Sequence, residues 1–236
     1  MELYFTYPDN ISGDDATFDT FESTHILKTM RNKAGNLIHF TDGEGRLYRG
    51  FITETKPSLK AQSKLIKQLP WPPRSQSILG IGFIRPSRLD YMIEKSTELG
   101  INKFYLFGTK HTNYYTENSH RWEKIARQAI KQSNQLYLPE IIILPDVLSF
   151  IRAVSSIKMK FIAEQIATNS LPVVINSITD KGEDIVFLIG PEGGFEKKEI
   201  ETAQKNGFVP ISFGENRLRT ETAAIAAASY INLIRN

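Results

Sequence analysis

From residue 77 onward the chain alternates short apolar runs with amphipathic segments, and this alternation restricts the fold more than any other feature. "SILGIGFI", "KFYLFG", "EIIIL", "KFIAE" and "DIVFLIG" read as strands, the last apolar on both faces. Between them, "SRLDYMIEKSTELG" places Leu89, Met92, Ile93, Ser96 and Leu99 on one helical face, with Gly100 positioned to end the helix. "HRWEKIARQAIKQSN" turns Trp122, Ile125, Ala126, Ala129 and Ile130 inward. "EKKEIETAQKNG" is a helix ending at Gly207, "FVPISFG" is a last strand, and a final helix starts at Thr220. Buried strands alternating with helices belong in a parallel sheet covered on both faces, an α/β fold.

The first seventy residues follow a different rule. "LIHFTDGEGRLYRGFI" is two apolar runs around Asp42-Gly43-Glu44-Gly45, a hairpin signal. In "SLKAQSKLIKQ", Leu59, Ala61, Ser63 and Leu65 alternate with Lys60, Gln62, Lys64 and Ile66, a period of two. "LPWPPRSQ", residues 69–76, holds three prolines and breaks regular structure. The expected organisation is therefore a small β domain over residues 1–70 and a larger α/β domain over residues 71–236.

Composition narrows the function classes. The formal net charge of the 236 residues is +3, from 29 Lys plus Arg against 26 Asp plus Glu. That balance permits a nucleic-acid partner and leaves the decision to local clustering of the basic residues. The chain has no cysteine, so neither a disulfide framework nor a thiolate metal site is available, and four scattered histidines lack zinc-site spacing. No metal is expected. The N-terminus lacks the blocks of a signal peptide, and no apolar run approaches the roughly 20 residues that cross a bilayer. A cytoplasmic location without membrane contact is expected.

Two glycine-rich loops stand where a strand hands over to a helix. The first is Ile189-Gly190-Pro191-Glu192-Gly193-Gly194; the second runs from Phe213 and Gly214 through Glu215, Asn216, Arg217, Leu218 and Arg219 to Thr220. Ligands bind at the carboxyl ends of strands in open α/β sheets. Glycine admits positive φ and close approach of the backbone. One such loop is as readily a tight turn as a ligand site; two at neighbouring strand ends favour a ligand. No Gly-Lys-Ser/Thr follows the glycines, which excludes a P-loop, and Gly80-Ile81-Gly82 lacks the third glycine of a dinucleotide fingerprint. An adenosine-bearing cofactor held without phosphates fits this pattern. Thr220 reads as an N-cap with Glu221 in the first turn. Arg217 and Arg219 precede the positive end of a helix dipole, an unfavourable place for cations unless an anion such as an RNA phosphate lies nearby. Ala223, Ala224, Ala226, Ala227, Ala228 and Ser229 give the last helix a small-residue face, expected at a close interface within the chain or between subunits.

"LIGPEGGF" followed by "FGENRLRTETAAIAA" resembles the RsmE family of 16S ribosomal RNA (uracil-N3)-methyltransferases, in the SPOUT superfamily. The likeness extends over nearly the whole chain, through "HILKTMRNKAGNLIHFTDGEGRLYRGFI", "RLDYMIEKSTELGI" and "RWEKIARQAIKQS". It implies a PUA-like RNA-binding β-barrel over residues 1–70. Over residues 71–236 it implies a dimerising SPOUT α/β domain with a C-terminal trefoil knot. It further implies S-adenosyl-L-methionine as cofactor, a homodimer, and 16S ribosomal RNA or the small ribosomal subunit as partner. On this reading Leu188, Ile189, Gly190, Pro191, Glu192, Gly193 and Gly194 wrap the cofactor together with Phe213, Gly214, Glu215, Leu218, Arg219 and Thr220. Leu188 and Leu218 flank the adenine, and the chain near Glu164 adds a further contact. Arg219 stabilises charge on the uracil, with Glu221 as its helper or as proton acceptor. Lys28, Arg31, Lys33, Arg85, Arg88 and Arg217 contact RNA. The chain departs from the family at His111, Gln135 and Asn216, where many members carry arginine. Two alternatives follow from these departures: an RNA-binding module of the same fold without catalysis, or a methyltransferase with a different RNA target.

Overall fold

The computed structural model describes residues 1–71, 73–170 and 182–235; Pro72, in the proline-rich break, lies outside them. The chain divides into two compact units. The first is Met1–Arg74 with Arg127–Leu138, and the second is Ser75–Ala126 with Pro139–Asn236. Among the described residues no helix is long and apolar enough to cross a membrane.

The first unit is built on a curled six-stranded sheet: β1 (Leu3–Phe5), β2 (Ile11–Ser12), β3 (Asp15–Thr17), β4 (Leu37–Thr41), β5 (Arg46–Glu54) and β6 (Lys60–Gln68), in the order β1-β4-β5-β6-β3-β2. β1 pairs with β4 in parallel and the remaining pairs are antiparallel. The expected hairpin is β4–β5. Its loop needs glycine twice over at Gly43, where φ is 79° and an added Cβ would lie 2.9 Å from Leu138 Cβ. Along β5 the pleat buries Tyr48, Gly50 and Ile52 and exposes Arg49, Phe51 and Thr53. The expected alternation in β6 holds from Lys60 to Lys64 and then fails, because Leu65 and Ile66 are both exposed. The inner face packs Ile26, Ile38, Phe40, Tyr48, Leu59 and Ala61 into one core.

A short helix, α1 (Thr20–Thr24), is capped by Asp19, whose carboxylate accepts the Glu22 N–H at 2.7 Å. The second half of α3 (Ser119–Ser133) groups with this unit, and paired charges account for it. Lys131 Nζ lies 2.8 and 3.0 Å from the two carboxylate oxygens of Glu22, which also accepts the Phe5 N–H at 3.1 Å. Arg127 donates to Asp19 at 3.1 Å and to the Tyr7 hydroxyl at 2.9 Å, and its guanidinium sits over the Phe5 ring. A single boundary near residue 70 omits this return of the chain.

The second unit carries an all-parallel sheet: β7 (Ser77–Gly82), β8 (Lys103–Gly108), β9 (Glu140–Asp146), β10 (Met159–Ala163), β11 (Ile185–Ile189) and β12 (Val209–Ile211), in the order β12-β10-β11-β7-β8-β9. The expected strands are present, with β12 limited to three residues. Helices α2 (Pro86–Glu98) and α6 (Thr220–Arg235) pack on each other, and Asn232 donates to the Leu99 carbonyl at 3.0 Å. Ala224, Ala227 and Ala228 are fully buried, so much of the small-residue face is used inside the chain. On α2, Leu99 is only half-buried and Thr97 is buried in its place; on α3, Ile125 is likewise half-buried. Among its described residues the second unit also carries α4 (Val147–Ala153) and α5 (Lys197–Lys205). The strand–helix reading passes over α4. Asp146 caps it by accepting the Ser149 N–H at 2.7 Å, and Phe150 occupies the space above Gly80, where a Cβ would come within 2.2 Å of its ring. Gly80 thus serves packing between strand and helix.

Two stability outcomes follow. Lys131→Met strands the Glu22 carboxylate, 1% exposed at its side chain, and is expected to cost about 3–5 kcal/mol in denaturant unfolding. Asp146→Ala removes the α4 cap and is expected to cost about 1 kcal/mol. Hydrogen bonds from Ser149 hold the Asp146 carboxyl below its ordinary value. The difference between wild type and Asp146→Ala should therefore be full above the usual carboxylate pKa and vanish as pH falls through the lowered one.

Candidate functional site

A cleft of about 620 Å³ opens at the carboxyl ends of β10, β11 and β12, which are neighbours in the sheet. Its size is that of a pocket for a small organic ligand. The first glycine loop forms one wall. Gly194 donates its N–H to the Pro191 carbonyl at 2.9 Å and has φ 72°. Pro191 can sit against β7 only because position 82 is glycine: a Cβ there would lie 2.6 Å from Pro191 Cδ. On the outer side His111 packs against Gly193, where an added Cβ would be 2.7 Å from His111 Cβ. His111 Nδ1 also lies 3.3 Å from the Gly194 carbonyl.

The second loop forms the opposite wall. Its turn is held by Ser212, whose hydroxyl donates to the Gly214 carbonyl at 3.0 Å and accepts the Gly214 N–H at 3.2 Å. Gly214 has φ 123°, and neither it nor Gly194 has a heavy atom within 4 Å of where a Cβ would stand. At both positions glycine is required by the backbone angle. The third edge is the chain leaving β10, with Ala163, Glu164 and Gln165. Glu164 is anchored by its N–H to the Ile211 carbonyl at 2.9 Å.

Thr220 does not act as the N-cap expected from the sequence. It is the first residue of α6, buried, and its hydroxyl donates to the Gly190 carbonyl at 2.8 Å. The two loops are therefore joined directly across the floor of the cleft.

The cleft brings together most of the residues expected from the sequence. Ile189, Gly190, Pro191, Glu192, Gly193 and Gly194 line it, as do Phe213, Gly214, Arg217, Leu218, Arg219 and Thr220. Leu188 does not: its side chain is fully buried in the core beside Ile78 and Val186. Glu215 is exposed and outside the lining. Arg88, expected to face RNA, lies in the cleft wall with Nη1 3.3 Å from Glu192 and Nε 3.6 Å from Glu221. Glu221 is thus held by Arg88, and its Oε2 is buried without a hydrogen-bond partner among the described residues. Glu221 lies behind the lining, whose charged groups are Arg88, Arg217 and Arg219 together with Glu164 and Glu192. Arg217 and Arg219 are exposed and have no ion-pair partner among the described residues. Arg85 is exposed just before α2, and Lys28, Arg31 and Lys33 are exposed in the first unit.

Phe195, Ile200 and Ser212 line the cleft and were not singled out in the sequence; Ala223, which also lines it, was read only as part of a small-residue face. Phe195 had a visible signal, an aromatic residue directly after the glycines. The cleft therefore offers bare backbone from two loops, apolar surface from Ile189, Pro191 and Leu218 for a flat ring, and charged groups of both signs.

A family model described as RNA methyltransferase domain matches residues 72–232. Ribosomal RNA small subunit methyltransferase E of Buchnera aphidicola subsp. Schizaphis graminum is 30% identical over 220 residues, 89% of this chain and 86% of that protein. Among solved structures, a probable rRNA-methyltransferase from Porphyromonas gingivalis superposes with a TM-score of 0.83 at 28% identity, covering 100% of this chain and 98% of that one. Ribosomal RNA small subunit methyltransferase E from Neisseria gonorrhoeae, bound to S-adenosyl methionine, shares the fold with a TM-score of 0.82 at 24% identity, covering 99% and 97%.

Thr220→Val keeps the shape of the side chain and leaves the Gly190 carbonyl unpaired. The expected loss is about 1–3 kcal/mol in unfolding free energy, whereas Thr220→Ser, which keeps the donor, should lose less.

Proposed function

The chain belongs to the RNA methyltransferase family, with the proteins called ribosomal RNA small subunit methyltransferase E, and from that premise we propose that it transfers a methyl group from S-adenosyl-L-methionine to N3 of a uridine in 16S ribosomal RNA. The observation that carries this reading is the cleft itself: two backbone-bare loops at adjacent strand ends, joined by Thr220 and Gly190. Residues 189–194 and 213–220 would hold the adenosine and methionine parts through backbone N–H and C=O groups, with Leu218 against the adenine and Leu188 supporting the wall from behind. Glu164 and Glu192, the two carboxylates in the lining, are the groups that would face the sulfonium. When bound, the cofactor supplies a methyl group activated by that positive sulfur.

The protein's own groups do the rest. Uracil N3 carries a proton and becomes a nucleophile only as that proton passes to solvent water, so that the transfer would leave N3-methyluridine, S-adenosylhomocysteine and a proton in solution. Arg219, exposed at the cleft with no paired carboxylate among the described residues, is placed in this proposal beside the uracil oxygens, where it offsets the developing imide charge. The walls align the acceptor nitrogen with the methyl group. Glu221 acts by holding Arg88, in place of the pairing with Arg219 suggested by the sequence. The target base must be unpaired or flipped, since a duplex hides N3.

The proposal extends to the parts outside the cleft. The first unit is read as a PUA-like barrel that binds RNA, with Lys28, Arg31 and Lys33 contacting phosphates; Arg85 and Arg217 do the same from the second unit. The second unit is read as a SPOUT domain with a C-terminal trefoil knot, acting as a homodimer in the cytoplasm, where ribosomes are assembled.

Arg219→Ala is expected to lower kcat at least about a hundredfold in labelled-methyl transfer to 16S rRNA or small subunits, while S-adenosylhomocysteine affinity changes only a few-fold. Wild-type activity in that variant would remove Arg219 from the mechanism. No transfer by the wild-type protein to either substrate would contradict the proposal.

A further inference from the structure

The outer face of the first unit's sheet carries an arrangement that the fold does not need. On adjacent strands His39 pairs directly with Arg49, and Arg49 pairs directly with Lys64. These three side chains form one row across β4, β5 and β6. Like charges directly opposite each other destabilise a sheet. Among the described residues no ion pair engages Arg49 or Lys64. Glu54 is paired to Lys60 at 3.0 Å, and Asp15, opposite Gln62 on β3, has no ion pair with either cation. Burial, with the Arg49 charge adding to it, pushes the His39 imidazole below its ordinary value.

The neighbouring row of the same face is Leu37, Phe51 and Gln62. Phe51 is 57% exposed and Leu37 is 46% exposed. An aromatic ring left in water beside an uncompensated cationic row has the chemistry of a single-stranded nucleic-acid surface, phosphates on the cations and a base on the ring.

We infer that the face formed by His39, Arg49, Phe51 and Lys64 binds a single-stranded segment of the substrate RNA, with phosphates along Arg49 and Lys64 and a base stacked on Phe51. This surface is separate in sequence from Lys28, Arg31 and Lys33, and it rests on the reading of the protein as an RNA methyltransferase. It also makes the charge row a compromise between stability and binding. Neutralising it should stabilise the sheet while weakening the RNA complex, a combination that a purely structural role would not produce.

The test compares wild type, the double variant Arg49→Gln with Lys64→Gln, and Phe51→Ala, each in the full chain. RNA affinity for a 16S rRNA fragment is measured across a salt series, beside the melting temperature and S-adenosylhomocysteine affinity. In the double variant, RNA affinity should fall about tenfold or more, and the slope of log K against log salt should shrink by about 1.4, roughly 0.7 for each lost contact on a single strand. Its melting temperature should be unchanged or higher, and cofactor-product affinity unchanged. Phe51→Ala should weaken RNA binding about tenfold without changing the salt slope. Wild-type RNA binding with unaltered affinity and slope in both variants overturns this surface and leaves the methyltransferase reading standing. Variants that keep RNA affinity but lose capture of an acidic protein overturn it in favour of that partner. A wild-type protein that binds no RNA overturns both.

Discussion

The hydrogen bond from the Thr220 hydroxyl to the Gly190 carbonyl is the constraint on which the cleft depends. A neutral hydrogen bond contributes only about 0.5–1.5 kcal/mol net. Its importance here is geometric. Gly190, Gly193, Gly194 and Gly214 belong to loops whose glycines carry more conformational freedom than any other residue type. Joining the loops at one buried point turns two separate strand ends into facing walls. The same point fixes where α6 begins, and α6 in turn packs on α2, which brings Arg88 to Glu192 and Glu221. Gly82 completes the arrangement, since any side chain there would displace Pro191 and the first wall with it.

Charge is used differently in different places. Cations inside the first unit are satisfied: Lys131 by Glu22, and Arg127 by Asp19, Tyr7 and the Phe5 ring. Arg217 and Arg219 beside the cleft, and Arg49 and Lys64 on the outer sheet face, have no such partners among the described residues. Buried cations must be compensated from within the chain. Exposed ones placed before a helix N-terminus or opposite one another are tolerated at a cost, which in the proposed reading a polyanionic substrate recovers.

The parts legible in the sequence were those that periodicity and backbone geometry determine. Strands β7 to β12 and helices α2, α3, α5 and α6 follow from apolar patterning, and both glycine loops from their places at strand ends. The β4–β5 hairpin follows from Asp42-Gly43-Glu44-Gly45. What escaped were choices of partner. Thr220 has the local chemistry of a cap and spends its hydroxyl on a carbonyl 30 residues earlier. Arg88 looks like a surface cation until Glu192, 104 residues later, is beside it. Lys131 finds Glu22 across 109 residues, and that pairing carries Arg127–Leu138 into the first unit. Gly80 and Gly82 resemble a fragment of a nucleotide motif, yet each makes room for another side chain, Phe150 and Pro191. α4 was readable and passed over: Asp146 before Val147, Phe150 and Ile151 is a cap followed by helical spacing.

In the proposed reading, the two loops joined at Thr220 and Gly190 form a binding site for an adenosyl cofactor. Calorimetric titration of the purified wild-type chain with S-adenosylhomocysteine tests it most directly. The account expects saturable binding at one site per chain. A folded protein that releases no heat and shows no saturation at millimolar ligand would contradict it.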